Sequence, residues 1–286
     1  MARSARKNKM EKREITLGHS PDPDDAFMFY ALAADKIDTG NLTFRHIIED
    51  IETLNHRALK AELDVTAVSI HTYAYVLKDY ALLTSGASMG DNYGPLLISK
   101  NPLTLEEAKT KTIAVAGSMT TSALALRLCL GEIETVEIPF DKIMDAVDSG
   151  EVDTGLLIHE GQLTYKARGF HKIIDLGEWW MQETGLPLPL GGNAIKKSLG
   201  PETIEQVSNL LRQSIEYGLA NREAGVRHSM KYGRGMAEEL TDKFVGMYVN
   251  DYTIDYGERG RQAVRLLLDR AHQAGIIPSP VELEFA

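Results

Sequence analysis

A histidine closes a short apolar run in Thr154-Gly155-Leu156-Leu157-Ile158-His159-Glu160. An uninterrupted run of this length, 152–158, reads as a strand buried on both faces. Ligands of open α/β sheets sit outside the carboxyl ends of their strands, and His159 stands at that end. An imidazole placed there is suited to proton transfer near neutral pH; the plainer alternative is a histidine that caps a strand. Hydroxyls recur in similar places. Ser118, Thr120 and Thr121 lie between an apolar strand, 112–116, and a helix start. Free backbone N–H groups and the helix dipole favour a carboxylate or phosphate at such a turn, although N-capping alone also accounts for these residue types. Ser69 ends a second apolar run, 64–69. The first strand leads into His19-Ser20-Pro21-Asp22-Pro23-Asp24-Asp25. Its aspartates cap the helix that begins at Ala26, or they face a cleft with Ser20 and bind substrate hydroxyls; the two roles are compatible.

Positioning these groups requires particular elements. Strands are expected at 14–18, 42–48, 64–69, 81–84 and 96–99, with helices at 53–61 and 70–78. Near Lys100-Asn101-Pro102 the pattern restarts. A helix at 104–109 is capped by Thr104, with Glu106 and Glu107 in its first turn. Strands follow at 112–116, 136–138, 152–158 and 172–176, with helices at 123–130 and 140–148. From Pro201 onward the pattern is helical, over 201–222, 236–249 and 258–274. Alternation twice over, then a helical tail, predicts two α/β lobes. The first spans 14–100 and is completed by 192–286; the second spans 101–191; residues 1–13 form a disordered basic tail. Two hydroxyl-bearing strand ends and one strand-end histidine then share a cleft that suits a polar, anionic small molecule. The adjacent Trp179 and Trp180 offer faces for a ligand ring to stack on, but two neighbours cannot easily share one face, so core packing is the preferred reading.

Composition narrows the chemistry. The net charge of −10 over 286 residues disfavours nucleic acid, which needs clustered Lys and Arg. No stretch is long and apolar enough for a membrane span, and no apolar segment follows the basic start as in a secretory signal, so a cytoplasmic protein without membrane insertion is expected. The single cysteine, Cys129, sits in an apolar run and is read as core. The sequence lacks a G-x-S-x-G elbow, a Walker loop, a G-x-G-x-x-G after its first strand and an H-E-x-x-H helix. Proton chemistry without a cofactor, or binding without chemistry, remains.

Further motifs carry a resemblance. They are Ser20-Pro21-x-Pro23-x-Asp25-x-Phe27; Glu49-Asp50-Ile51-Glu52-Thr53-Leu54-Asn55; Gly94-Pro95-Leu96; Thr120-Thr121; Gly155-Leu156-Leu157-Ile158-His159-Glu160; and Asp175-Leu176-Gly177-x-Trp179-Trp180 with Thr184-Gly185-Leu186-Pro187-Leu188-Pro189-Leu190-Gly191. In this order the chain resembles the 1,4-dihydroxy-6-naphthoate synthase family of futalosine-type menaquinone biosynthesis. The resemblance implies a two-lobed, periplasmic-binding-protein-like (type II) α/β fold. It implies a carbon–carbon lyase acting on cyclic dehypoxanthinyl futalosine, with no metal and no organic cofactor. By the same resemblance the proton-accepting histidine is His159, and the substrate-binding stretches are Ala67-Val68-Ser69 and Thr120-Thr121. A homodimer is compatible with this reading.

Two departures stand out. The family usually reads Ser-Pro-Cys-Pro-Asn-Asp-Thr in the first loop, and here Asp22, Asp24 and Ala26 replace three of those residues. Ala67 stands where lysine is frequent. Added acid and a lost cation should weaken binding of an anion, so either the substrate is a modified relative or a compensating cation comes from elsewhere. Two competing functions stay open: a solute-binding protein on the same scaffold, and the sister family that dehydrates chorismate. The tryptophan and Gly-Leu-Pro-Leu-Pro-Leu-Gly blocks favour the naphthoate synthase.

Overall fold

The structure is a computed structural model that describes residues 12–286. The expected disordered tail lies outside the described residues up to position 11; Arg13, counted with it, opens the first strand and donates to Thr203 Oγ1 at 2.8 Å. Among the described residues, the strands are β1 (Arg13–His19), β2 (Leu42–Ile48), β3 (Val65–Ser69), β4 (Tyr80–Leu82), β5 (Ser88–Gly90), β6 (Leu96–Ser99), β7 (Ile113–Val115), β8 (Thr135–Glu137), β9 (Thr154–Leu157), β10 (His171–Asp175) and β11 (Leu188–Lys196). They form two sheets. The first runs β2-β1-β3-β11-β4, with β5 also paired to β11; the second runs β10-β6-β9-β7-β8. β1 is parallel to β2 and β3, and β7 is parallel to β8 and β9. Each parallel trio is extended by antiparallel partners, β11 in the first sheet and β6 with β10 in the second.

Two strands fall on the other side of the expected lobe boundaries. β6 pairs in the second sheet, so the chain crosses over before Leu96 rather than at residue 100. β11 starts at Leu188 and returns the chain to the first sheet. Its proline, Pro189, and paired glycines hide it from any strand pattern. Proline cannot donate to a ladder, and here the register shifts between Pro189 and Gly191, where β5 pairs with β11. The helix Leu176–Thr184 was also unmarked in the sequence. Asp175 starts it by accepting from the Gly177 and Glu178 amides at 2.8 and 3.1 Å. Trp180 on this helix is fully buried and donates to the Pro187 carbonyl at 3.1 Å, which bears out its reading as core.

Local choices hold the first loop in place. The short helix Pro23–Met28 is buried along its length. Phe27 seats against Gly218 and Gly225, where a β-carbon would come within 3.0 and 2.6 Å of its ring. These glycines belong to the helices Pro201–Ala220 and Arg222–Ser229, the second of which the sequence reading did not separate. The helices Glu238–Tyr248 and Gly257–Gln273 complete the tail. Thr104 and Glu107 form the capping box of the helix Leu105–Ala108 as expected. Cys129 packs on the core, and burial raises its thiol to about 11, so it stays protonated at neutral pH. No helix among the described residues is long and apolar enough to cross a membrane.

Three histidines gather behind the first loop. His19 donates from Nδ1 to the Ser20 carbonyl at 3.0 Å, so its Nε2 accepts from His46 Nδ1 at 3.1 Å. Burial lowers His19, His46 and His228 below 6.5, His46 to about 4. The unfolded chain takes up these protons near pH 6.5, and the folded chain resists them. Their contribution to stability is therefore complete above about pH 6.5 and is lost as pH falls toward 4. Urea midpoints measured from pH 7 to 4.5 should fall, and less steeply in His46→Asn.

Candidate active site

His159 follows β9, whose buried residues include Leu156 and Leu157, and it adopts a left-handed backbone with φ of 55°. A non-glycine residue in that region is held by its surroundings and is a frequent mark of function. Gly155 allows the strand beneath it to pack, since a β-carbon there would lie 2.4 Å from Ile143 Cγ2. The imidazole is held on two sides. Asp22 Oδ2 is 3.1 Å from His159 Nδ1, and the Phe140 ring meets the imidazole edge-on at 4.9 Å. Asp22 is 1% exposed, and its second oxygen accepts from Arg234 Nη1 at 3.0 Å.

A cavity opens beside this pair between the two sheets, with about 110 Å³ of water-accessible space. One water needs only about 10–15 Å³ on such a measure, so the space suits an organic molecule. Ser20, Asp25, Ala67, Val68, Ser69, Thr120, Thr121 and His159, the residues singled out from the sequence, all line it. Asp22, Asp24, Ser122, Gln162, Asn193 and Tyr248 join them. Two buried acceptors of this group, Asp24 Oδ1 and Asn193 Oδ1, find no hydrogen-bond partner among the described residues. Groups of this kind are satisfied by water or by a ligand's donors. No group of three or more His, Cys, Asp or Glu among the described residues is arranged to hold a metal ion.

The hydroxyl turn is built differently from its expected form. Thr120 caps the helix Thr121–Leu130 by accepting from the Ala123 amide at 3.2 Å. Ser118 and Met119, by contrast, give their amides to Glu137 and Glu52 at 2.9 and 3.1 Å. The protein's own carboxylates thus take part of the anion seat. What remains for a ligand is the start of the helix, where the amides of Thr121 and Ser122 have no partner within the helix itself. Thr121 Oγ1 donates to the Leu190 carbonyl on β11 and accepts from the His71 amide, tying the second sheet to the first.

Glu52 and Asn55 stand in the Glu49–Asn55 motif but were assigned no site role from the sequence; they lie three residues apart on one helix, Ile51–Leu59. Asn55 is fully buried; it accepts from the Ser69 amide at 2.9 Å and donates to Ser69 Oγ at 3.0 Å and Glu52 at 3.3 Å. It holds the Ser69 hydroxyl at the cavity wall. Asn55→Ala leaves the Ser69 amide buried and unpaired, and should lower stability by about 1–3 kcal/mol in urea unfolding. Ligand affinity should fall with it.

The acidic loop is less anionic than its composition suggests. Burial, reinforced by Asp25 and Asp22, raises Asp24 well above the carboxylate range. Burial also raises Asp25, to about 6, against the pull of the Ser20 amide, which donates to it at 2.7 Å. Asp22 faces Arg234, which also donates to Glu160 at 3.0 Å and to the Pro21 carbonyl at 3.1 Å. The expectation that added acid repels an anion is thereby offset. Burial favours the neutral form of one aspartate, Asp24, and another, Asp22, is matched by a guanidinium that arrives from the C-terminal segment.

The comparisons with known proteins bear on this geometry. The sequence profile described as menaquinone biosynthesis matches residues 15–273. The chain belongs to the menaquinone biosynthesis family. Among its relatives in that family is the 1,4-dihydroxy-6-naphthoate synthase of Thermus thermophilus, 37% identical over 267 residues, covering 93% of this chain and 97% of that one. A crystal structure of an Archaeoglobus fulgidus protein is 45% identical and superposes with a TM-score of 0.89, over 92% of this chain and 98% of the other. The alkanesulfonate-binding protein of Xanthomonas axonopodis, solved with MOPS, is 12% identical with a TM-score of 0.71, covering 96% and 99%. That likeness extends to the fold alone, and it is the two-lobed, periplasmic-binding-protein-like arrangement expected from the sequence. In this menaquinone biosynthesis family member, two α/β sheets face a cavity, with the strand-end histidine on its wall.

Proposed function

We propose that this family member is a 1,4-dihydroxy-6-naphthoate synthase, a carbon–carbon lyase acting on cyclic dehypoxanthinyl futalosine with His159 as general base. The observation that carries the reading is the pairing of His159 Nδ1 with the buried Asp22 at the edge of the cavity. A negative carboxylate 3.1 Å from Nδ1 favours a hydrogen on that nitrogen, which leaves Nε2 with a free lone pair. Nε2 takes the proton of a sugar hydroxyl. The O–H electron pair becomes a carbonyl, the adjacent carbon–carbon bond breaks, and its electrons pass into the ring system that becomes the aromatic diol. The carbanion-like product takes up one proton, so His159 returns to its starting state once the proton it gained has left. The amides of Thr121 and Ser122 seat the substrate carboxylate. Ser69 and the unpartnered oxygens of Asp24 and Asn193 meet its hydroxyls, which are donors as well as acceptors.

The test is incubation of the metal-stripped protein with cyclic dehypoxanthinyl futalosine, followed by chromatography. Formation of dihydroxynaphthoate, lost in His159→Ala, supports the reading. Saturable binding without turnover favours a binding protein, and turnover of chorismate favours the sister dehydratase; either result overturns it.

A further inference from the structure

We infer that Asp22, braced by Arg234, is the positioning residue of His159: it selects the tautomer in which Nε2 is the basic nitrogen. This deepens the reading of His159 as a base and rests on it. Asp22 belongs to the loop after β1 in the first sheet, and His159 to the turn after β9 in the second. Their contact at 3.1 Å therefore joins the two halves of the cavity. Each Asp22 oxygen has one assigned partner, His159 on Oδ2 and Arg234 on Oδ1. Arg234 fixes the orientation of that carboxylate, since its guanidinium donates to Oδ1 at 3.0 Å and leaves Oδ2 turned to the imidazole.

Arg234 is itself fixed by several independent contacts. It donates to Glu160 and the Pro21 carbonyl, and its guanidinium lies 4.4 Å over the Phe140 ring that also touches His159. Arg234 and His159 are both left-handed, with φ of 48° and 55°. Such conformations persist where the surroundings over-determine them. Besides Asp22 and Arg234, the charged groups facing His159 are Glu160, beside it in the chain, and Asp25, across the cavity. Neither is bonded to its Nδ1 in the described structure.

A plain structural ion pair would also be buried here, and the amide variant separates the two roles. In Asp22→Asn, Arg234 demands the amide oxygen, so the amide NH2 turns to His159 Nδ1. That nitrogen must then accept, the hydrogen moves to Nε2, and the base is lost. The experiment measures kcat, KM and their pH profiles for full-length wild type, Asp22→Asn and His159→Ala, with the His159 tautomer read by nitrogen-15 NMR. His159→Ala supplies the assignment of the His159 resonances. The expected result is a fall in kcat of about 10²-fold or more in Asp22→Asn, with KM changed less than about threefold, and a switch of the pyridine-like nitrogen from Nε2 to Nδ1. Wild-type turnover in Asp22→Asn with Nε2 still pyridine-like overturns the inference while His159→Ala remains inactive. Unchanged turnover in His159→Ala instead overturns the base reading itself. If Asp22→Asn does not fold by circular dichroism, the wild-type tautomer decides: hydrogen on Nδ1 supports the inference, and hydrogen on Nε2 overturns it.

Discussion

His159→Ala is expected to lower kcat by about 10²–10⁴-fold, the usual contribution of a positioned general base, without unfolding the protein. The hydroxyl proton of a sugar is far from acidic at neutral pH, so carbon–carbon cleavage waits on its removal. The side chain is well isolated for such a test. Removing it leaves Asp22 bonded to Arg234, so no buried charge is orphaned. The lost contacts are the one with Asp22 Oδ2 and one edge-on ring contact with Phe140. The left-handed backbone costs alanine somewhat more than histidine, which is enriched in that region, but both carry a β-carbon and the difference is small beside the loss of a base. Thermal melting should therefore move by only a few degrees while single-turnover product formation nearly vanishes. Retained turnover, or melting that collapses together with activity, would assign His159 a structural role.

Gly177→Ala should produce the largest loss of stability from a single added methyl. A β-carbon at Gly177 would lie 1.9 Å from the Tyr93 carbonyl oxygen and 2.6 Å from the Gly94 amide nitrogen. These are backbone atoms and cannot swing aside as a flexible side chain can. Overpacking typically destabilises by about 1–3 kcal/mol and by more where nothing can yield, so ~3 kcal/mol or more is expected here. In a chain of this size that corresponds to a drop in melting temperature on the order of 6–10 °C. The consequence reaches the site, because the Tyr93–Gly94 backbone leads directly into Pro95 on the cavity wall and then into β6. A urea midpoint within experimental error of wild type would refute the close approach.

Both predictions show where the sequence was readable and where it was not. Gly177 could be seen as part of a motif with Trp179 and Trp180, but nothing local says that its missing β-carbon makes room for a backbone segment more than eighty residues earlier. The strand end at His159, the cap at Thr120 and the Thr104 capping box were legible because each depends on neighbours within a few positions. β11 was not, because Pro189 and two glycines break every strand pattern, and their pairing is decided by β3, β4 and β5. Ser69 was recognisable as a strand-end hydroxyl, but Asn55, which orients it, comes from another helix.

By itself the sequence determined the alternation of strands and helices, the presence of two α/β units, and the set of polar residues that reach one cavity. These follow from periodicity, from capping preferences and from motifs of a few residues, all of which act over short stretches of chain. Only the tertiary structure decided that Asp22 faces His159, that Arg234 braces it from the C-terminal segment, and that Glu52 and Glu137 fill part of the hydroxyl turn. It also decided the charge of the first loop. Carboxylates that look anionic in composition are drawn toward the neutral form when burial removes their water, as at Asp24, or are matched when a distant guanidinium reaches them, as at Asp22. Solvation and long-range charge depend on the path of the whole chain through space, which no local pattern of residues specifies.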